Sequence, residues 1–388
     1  MKNVAIIGLG TVGCGVYEKL TDGSATDFKV TRVVVKDVTK ERSISGYEPL
    51  LSTCEEVLSD DTITIVIELT NDEQLALKIA LATLEKGKTF ISGSKKMIAK
   101  NLKLLEETAE RNKALFLYEA AVCGSVPIIL LLQNYFLGNT PKKVRTIANG
   151  TSNYILSKLW QTAHTYTAIV QQAQLAGFAE IDPTDDVAGF DIRSKLTIII
   201  SNAFQINLAP TLIPCFGIQH IKVHTIGVLK AKGLKLKLIG EAACDGSGLS
   251  AFVVPVILAE DDPFFSIEGE QNAVEIENAL SQNQLFSGKG AGRYPTTQAV
   301  LADLQATNSK RKNTLNKQWC QKIINSEVYF FYVDITLQQL DSSVEIISLT
   351  SSYIIVKATF EAMVLLSEEH EELFIARIPE EVYSYYFA

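Results

Sequence analysis

The sequence predicts an α/β protein: a Rossmann-type, doubly wound parallel sheet, then a second α+β domain and a small C-terminal α/β module. Three observations predict it. From residue 1 to about 130, short β-branched runs alternate with amphipathic stretches, the pattern of strands joined by crossover helices. A G-x-G-x-x-G turn, Gly8-Leu9-Gly10-Thr11-Val12-Gly13, links the first strand to the first helix. The chain has 388 residues, 47 % hydrophobic and 21 % charged, enough for two ordinary cores at roughly 100–200 residues per domain.

Taken in order, the first strand covers 3–8 and the helix behind the glycine turn 12–20. Runs 29–36, 62–69, 89–92 and 113–118 are short and rich in β-branched or aromatic residues, which fits pleated, half-buried surfaces. Stretches 73–86 and 102–112 carry apolar residues at helical spacing. A helix over 126–135 leads out, so the first domain is set at 1–135 and the second at 136–287. In the second, 154–176 reads as one long helix and 191–204 as another. The apolar run 236–259 reads as two strands split by the turn Asp245-Gly246-Ser247-Gly248. Residues 288–304 open on a glycine cluster, continue as a helix and complete the first domain. A polar linker is expected over 308–316. Beyond it, 328–335, 353–360 and 373–378 read as strands of a separable module, 320–388, whose removal should leave fold and activity intact.

Charge and composition exclude several classes. The 36 basic and 44 acidic residues give a net charge of −8 with no basic block, which argues against a nucleic-acid partner. The longest apolar stretches, such as 251–259, are far shorter than the roughly 18–20 residues that span a bilayer, so no membrane helix is expected. Lys2 followed by Val4-Ala5-Ile6-Ile7 opens like a signal peptide, and Val12-Gly13-Cys14 like a lipoprotein cleavage site, but the glycines interrupt any apolar core of such a signal. The six cysteines form no C-x-x-C pair and the four histidines are scattered. A reducing, cytoplasmic setting without a zinc site is therefore expected.

In the glycine turn, Gly8 makes the bend, Gly10 lets the backbone approach a pyrophosphate, and Gly13 lets helix and strand pack closely. Thr11 and Val12 open the helix whose free N–H groups would face the phosphates. At the end of the second strand Lys36 and Asp37 are adjacent: a base would meet the 2′-phosphate of NADP, an acid the 2′-hydroxyl of NAD. The densest polar constellation is 177–195. Asp191 and Lys195 are i and i+4 on one helical face, immediately before the core-type residues 196–200. A desolvated lysine beside a carboxylate is suited to donate a proton.

Four further stretches, Glu119-Ala120-Ala121-Val122-Cys123-Gly124-Ser125-Val126-Pro127, Asn149-Gly150-Thr151-Ser152-Asn153-Tyr154, the segment 177–195 and Gly288-Lys289-Gly290-Ala291-Gly292-Arg293-Tyr294-Pro295-Thr296, resemble homoserine dehydrogenase in order and separation. The resemblance spans residues 4 to about 304. It implies NAD(P)H-dependent, reversible reduction of L-aspartate 4-semialdehyde to L-homoserine, on the route to threonine and methionine. Lys195 would be the proton donor with Asp191 beside it, and Glu180 would bind the substrate ammonium. Lys95 and Gly290 would lie on the cofactor side, and Glu119, Val122, Gly124 and Val126 would hold a sodium ion. The resemblance also implies a homodimer built on the substrate domain, 136–287. The family's usual T-A-N-K is here Ser92-Gly93-Ser94-Lys95, and its glycine pair after Glu68 is Asn71-Asp72, leaving Thr70 as a candidate nicotinamide contact. Residues after 305 do not match the family's regulatory ACT pattern. Those departures keep a second reading open, an NAD(P)-sensing regulatory protein with a degenerate cofactor side. For the enzyme, Lys36 favours NADP over NAD.

Overall fold

The computed structural model describes residues 1–388 except 24, 163, 246–247, 309–316, 335–343, 351 and 371. Two expected features, the turn at 246–247 and most of the linker, at 309–316, lie outside the described residues. The chain divides into two compact units, one of residues 1–138, 197–207 and 288–319, the other of 139–196, 208–287 and 320–388.

The first unit is built on β1 (Lys2–Ile7), α1 (Thr11–Thr21), β2 (Phe28–Val34), β3 (Ile63–Glu68), α2 (Glu73–Glu85), β4 (Thr89–Ser92), α3 (Lys95–Arg111) and β5 (Phe116–Leu117). These five strands form one sheet in the order β2-β1-β3-β4-β5, and each neighbouring pair in it is parallel. The order reverses at β1, so the carboxyl ends of β1 and β3 flank the switch point where ligands bind in such sheets. Val4, Ile6, Val33, Ile65 and Ile67 form a core with Val16 and Leu20 of α1 and with Val300 and Leu304. Val300 and Leu304 lie on the helix Arg293–Ala306, which is why the chain returns there. The return at 197–207 is not visible in the sequence, because the division between the units falls inside one continuous helix.

The second unit contains β6 (Lys143–Ile147), α4 (Gly150–Gln161), α5 (Phe190–Phe204), β7 (Lys235–Asp245), β8 (Gly248–Leu258), β9 (Gln271–Asn278), β10 (Gln282–Lys289), β11 (Val328–Asp334), β12 (Glu345–Leu349), β13 (Ile354–Thr359), α6 (Phe360–Glu369) and β14 (Phe374–Ile378). The expected long helix over 154–176 is two: α4 ends at Gln161, and a new helix, Tyr166–Leu175, starts behind Thr165, whose side chain accepts the Ala168 N–H. A Thr cap of this kind favours a fresh start over continuation.

One nine-stranded sheet, β10-β9-β6-β7-β8-β14-β11-β13-β12, runs through this unit. The C-terminal strands thus have a place different from that of a separable module. β14 pairs in parallel with β8 through Arg377 and Val256, and Phe252, Val254 and Val256 of β8 share a core with Phe331, Val333, Val356 and Phe360. Phe252 stacks on Phe360 with ring centroids 4.2 Å apart. In sequence, strands that extend a neighbour's sheet and strands of a small independent sheet have the same alternation, so the pattern alone could not separate the two.

Candidate active site

In the first unit the glycine turn has no room for side chains at two of its three glycines. Gly8 has φ +98°, and a Cβ there would lie 2.5 Å from the Leu69 carbonyl oxygen; at Gly13 it would lie 2.0 Å from that of Gly8. Gly10 differs: its Cβ position is open, with nothing within 4 Å. Gly10 is also the N-cap of α1, with no side-chain cap and no acidic residue in the first turn. Backbone N–H groups and the positive end of the helix therefore face open space, the arrangement that receives a phosphate. Thr11 is exposed there and Val12 half-buried.

At the end of β2, Lys36 is exposed. The Asp37 carboxylate is engaged elsewhere, accepting the Thr39 N–H at 2.8 Å and its hydroxyl at 2.7 Å, and those bonds hold it below the usual carboxylate range. Arg42, which sequence reasoning missed, reaches back to this place. Its guanidinium donates to the carbonyls of Leu9 (3.2 Å), Lys40 (2.8 Å) and Asp37 (2.9 Å), setting a positive charge against the glycine turn.

The two departures on the cofactor side acquire physical roles. Asp72 caps α2 by accepting the Gln74 and Leu75 N–H groups. Ser94 donates to Glu68 Oε1 at 3.0 Å and to the Thr70 carbonyl at 3.2 Å. Glu68 is fully buried and also accepts the Thr70 N–H (2.7 Å) and hydroxyl (2.6 Å) and the Ser92 hydroxyl (2.6 Å). One carboxylate thus ties the ends of β3 and β4 together, with Lys95 half-buried at the start of α3.

Glu119 is buried, and its carboxylate accepts the Ile129 (3.1 Å) and Leu130 (2.6 Å) N–H groups. Val122 and Val126 are buried. Between them Cys123 and Gly124 both take positive φ, 55° and 52°, so the chain curls tightly there. A Cβ on Gly124 would lie 2.6 Å from the Gly290 carbonyl oxygen, which seats Gly290 against this curl. Among the described residues no group of three or more His, Cys, Asp or Glu could hold a metal ion. A cation at this curl would have to rely on carbonyl oxygens and a carboxylate, ligands suited to a hard ion.

In the second unit, Lys195 and Asp191 lie one turn apart on α5, as their spacing predicts. Lys195 Nζ is 2.9 Å from Asp191 Oδ2 and donates to the Ala148 carbonyl at 2.6 Å. Their relative exposures are 7 % and 1 %. Burying an ion pair costs several kcal/mol per charge unless further hydrogen bonds complete it, and Ala148 and Asn149 supply them. Asn149 Nδ2 donates to Asp191 Oδ2 at 2.8 Å and to Asp186 Oδ1 at 2.6 Å. Two of the three N–H directions of Lys195 are taken, and among the described residues the third has no partner, which leaves it for an oxygen of a ligand.

Glu180 is not brought into that cluster. It is exposed, on a loop pinned to α4 by a bond from Thr151 Oγ1 to the Phe178 carbonyl (2.8 Å) and by stacking of Phe178 on Tyr154 at 4.4 Å. Asn149 and Asp186 were missed as functional residues. Both stood in quoted motifs, but the pairing of Asn149 with residues 37 and 42 positions away has no local signal.

Known proteins resemble this chain over both units. Residues 127–305 match the family described as homoserine dehydrogenase, and residues 8–119 the homoserine dehydrogenase NAD binding domain. The homoserine dehydrogenase of Lactococcus lactis is 34 % identical over 329 residues, covering 82 % of this chain and 77 % of its own length. That of Bacillus subtilis is 32 % identical over 311 residues, covering 78 % and 72 %. Among solved structures, the Staphylococcus aureus homoserine dehydrogenase at pH 7.5 superposes with a TM-score of 0.76 at 27 % identity, covering 98 % of this chain and 99 % of its own. The Thiobacillus denitrificans homoserine dehydrogenase shares the fold with a TM-score of 0.84 at 24 % identity, covering 97 % and 98 %.

Proposed function

The chain belongs to the homoserine dehydrogenase family, and we propose that the first unit holds the nicotinamide cofactor while the second binds the substrate and delivers the proton. It is an NAD(P)-dependent oxidoreductase. The regulatory-protein reading is set aside, since relatives named for the dehydrogenase match most of the chain.

When bound, the cofactor supplies or accepts the hydride. The residues that fit it are Gly8, Gly10, Thr11, Val12 and Gly13 at the phosphates, with Thr70, Lys95 and Gly290 toward the nicotinamide. Lys195 donates a proton to the carbonyl oxygen of L-aspartate 4-semialdehyde as negative charge develops there, and takes one from the hydroxyl of L-homoserine in reverse. Asp191 holds that ammonium in place. The observation that carries this assignment is the buried Lys195–Asp191 pair completed by the Ala148 carbonyl. Glu180, on its pinned loop, is proposed to receive the substrate ammonium. A sodium ion at Glu119, Val122, Gly124 and Val126, a homodimer formed through the second unit, a cytoplasmic setting and a place on the route to threonine and methionine belong to the same proposal. Six free cysteines support the reducing compartment.

Loss of absorbance by NADPH and by NADH, each with L-aspartate 4-semialdehyde, tests the activity. Turnover is expected with at least one, and none with either overturns the reading. We assign NADP as the preferred cofactor, supported by the exposed Lys36, by Arg42 at the glycine turn and by an Asp37 carboxylate already engaged with Thr39. At an effective dielectric near 20, an ammonium about 4 Å from a phosphate gains on the order of 4 kcal/mol before desolvation. Lys36→Ala should accordingly raise the KM for NADPH much more than that for NADH; equal changes would make Lys36 a solvated charge only.

A further inference from the structure

Asn149 stands directly before α4 and is 4 % exposed. As an N-cap its side chain needs only an acceptor, and Oδ1 takes the Ser152 N–H at 2.7 Å. Since that N–H can meet only the oxygen, the orientation of the amide is fixed and its NH2 group faces the other way. There its two hydrogens reach two different carboxylates, Asp186 Oδ1 at 2.6 Å and Asp191 Oδ2 at 2.8 Å. The preceding carbonyl, Ala148, accepts Lys195 Nζ at 2.6 Å. One dipeptide therefore touches the buried Lys195 ammonium through its backbone, and through its side chain two carboxylates, buried Asp191 and half-buried Asp186.

A cap alone does not account for this choice of residue. Ser or Asp would cap α4 about as well as Asn, but neither offers two donors. Asp would add a third negative charge to a site with two carboxylates and one ammonium. Without the amide bridge, Asp191 Oδ2 would keep Lys195 as its partner but lose the hydrogen bond from Asn149 that links it to Asp186. A displacement of about 1 Å in a proton donor can cost on the order of 100-fold in rate.

We infer that Asn149 is a positioning residue for the reaction: its amide bridges Asp186 and Asp191 so that Lys195 is held on a single aim. The inference rests on the assignment of Lys195 as proton donor. Asn149→Ser keeps the cap and removes the bridge. It should melt within a few degrees of the unmodified protein and leave the KM for the reduced cofactor unchanged, while kcat with L-aspartate 4-semialdehyde falls about 10- to 100-fold. In a Lys195→Ala background the same change should have no further effect on kcat, because a residue that acts only through Lys195 has nothing left to act on. A kcat within threefold of the unmodified enzyme, or a full additional loss on top of Lys195→Ala, overturns the inference. Asn149→Thr, which also caps a helix and also lacks the two donors, guards against a folding artefact and should lose kcat to a similar extent. If both variants fail to fold, Asn149 is a structural cap and the inference falls. If Lys195→Ala itself retains turnover, the underlying assignment has failed instead, a separate result.

Discussion

In the first unit the turn between β1 and α1 offers a phosphate no side chain. Gly8 and Gly13 are glycine because any Cβ would strike a carbonyl oxygen within 2.5 Å, and Gly10 leaves open space before a bare helix end. In the second unit the opposite holds. Lys195, Asp191, Asp186 and Asn149 are side chains drawn from three places in the chain, and each is held by hydrogen bonds to the others or to the Ala148 carbonyl. A site made of backbone is fixed by the fold itself and tolerates changes of side chain nearby, which is how Ser94 and Asp72 can replace the family's usual residues and still find partners. A site made of buried charges tolerates little, because removing one member leaves another unpaired.

The largest test of this contrast removes residues 309–388. The second unit depends on them for the far half of its sheet and for the core around Phe252 and Phe360, whereas the first unit has its glycine turn and core without them. A chain ended after Asn308 should yield little soluble protein and no aldehyde reduction. Soluble, active protein would show that the β8–β14 pairing is dispensable.

Next come two glycines in one turn. Gly13→Ala should lower the melting temperature sharply or abolish folding, since the clash is with backbone that cannot move aside. Gly10→Ala should leave the melting temperature nearly unchanged and raise the cofactor KM at least tenfold, because the methyl group takes the space meant for the phosphate. Similar melting temperatures for the two variants would undo the account of the turn.

A smaller effect concerns acid. Burial alone would raise the Glu241 carboxyl, but Arg377, Lys143 and Arg145 hold it down to about 2. A depressed carboxylate contributes stability that is complete above its ordinary value of 4.5 and is lost as pH falls from there toward about 2. The amount is on the order of 3 kcal/mol. Urea midpoints should fall more steeply below pH 4.5 in the unmodified protein than in Glu241→Gln. Parallel curves would remove Glu241 from the acid response.

The same contrast explains what could be read in advance. Gly8 to Gly13 and the Asp191/Lys195 pair are local patterns, five or six positions wide, and each stays a local arrangement in the folded chain. Arg42 at the Leu9 carbonyl, Asn149 at Asp186 and Asp191, and β14 against β8 depend on how distant segments meet. The resemblance assigns Glu180 to the substrate ammonium and says nothing of its burial. Glu180 is exposed on a loop held by Thr151 and Tyr154, and loop exposure leaves little trace in composition.

The central claim is that the first unit holds the cofactor and Lys195 of the second supplies the proton, so that the two functions can be separated by one substitution. Lys195→Ala measured side by side for kcat and for NADPH binding, by fluorescence of the reduced nicotinamide, tests it most directly. The account predicts a fall in kcat of roughly 10²–10⁴-fold, the range for loss of a general acid, with an NADPH dissociation constant within twofold of the unmodified protein. Turnover within a factor of a few, or a loss of NADPH affinity in step with the loss of rate, would contradict it.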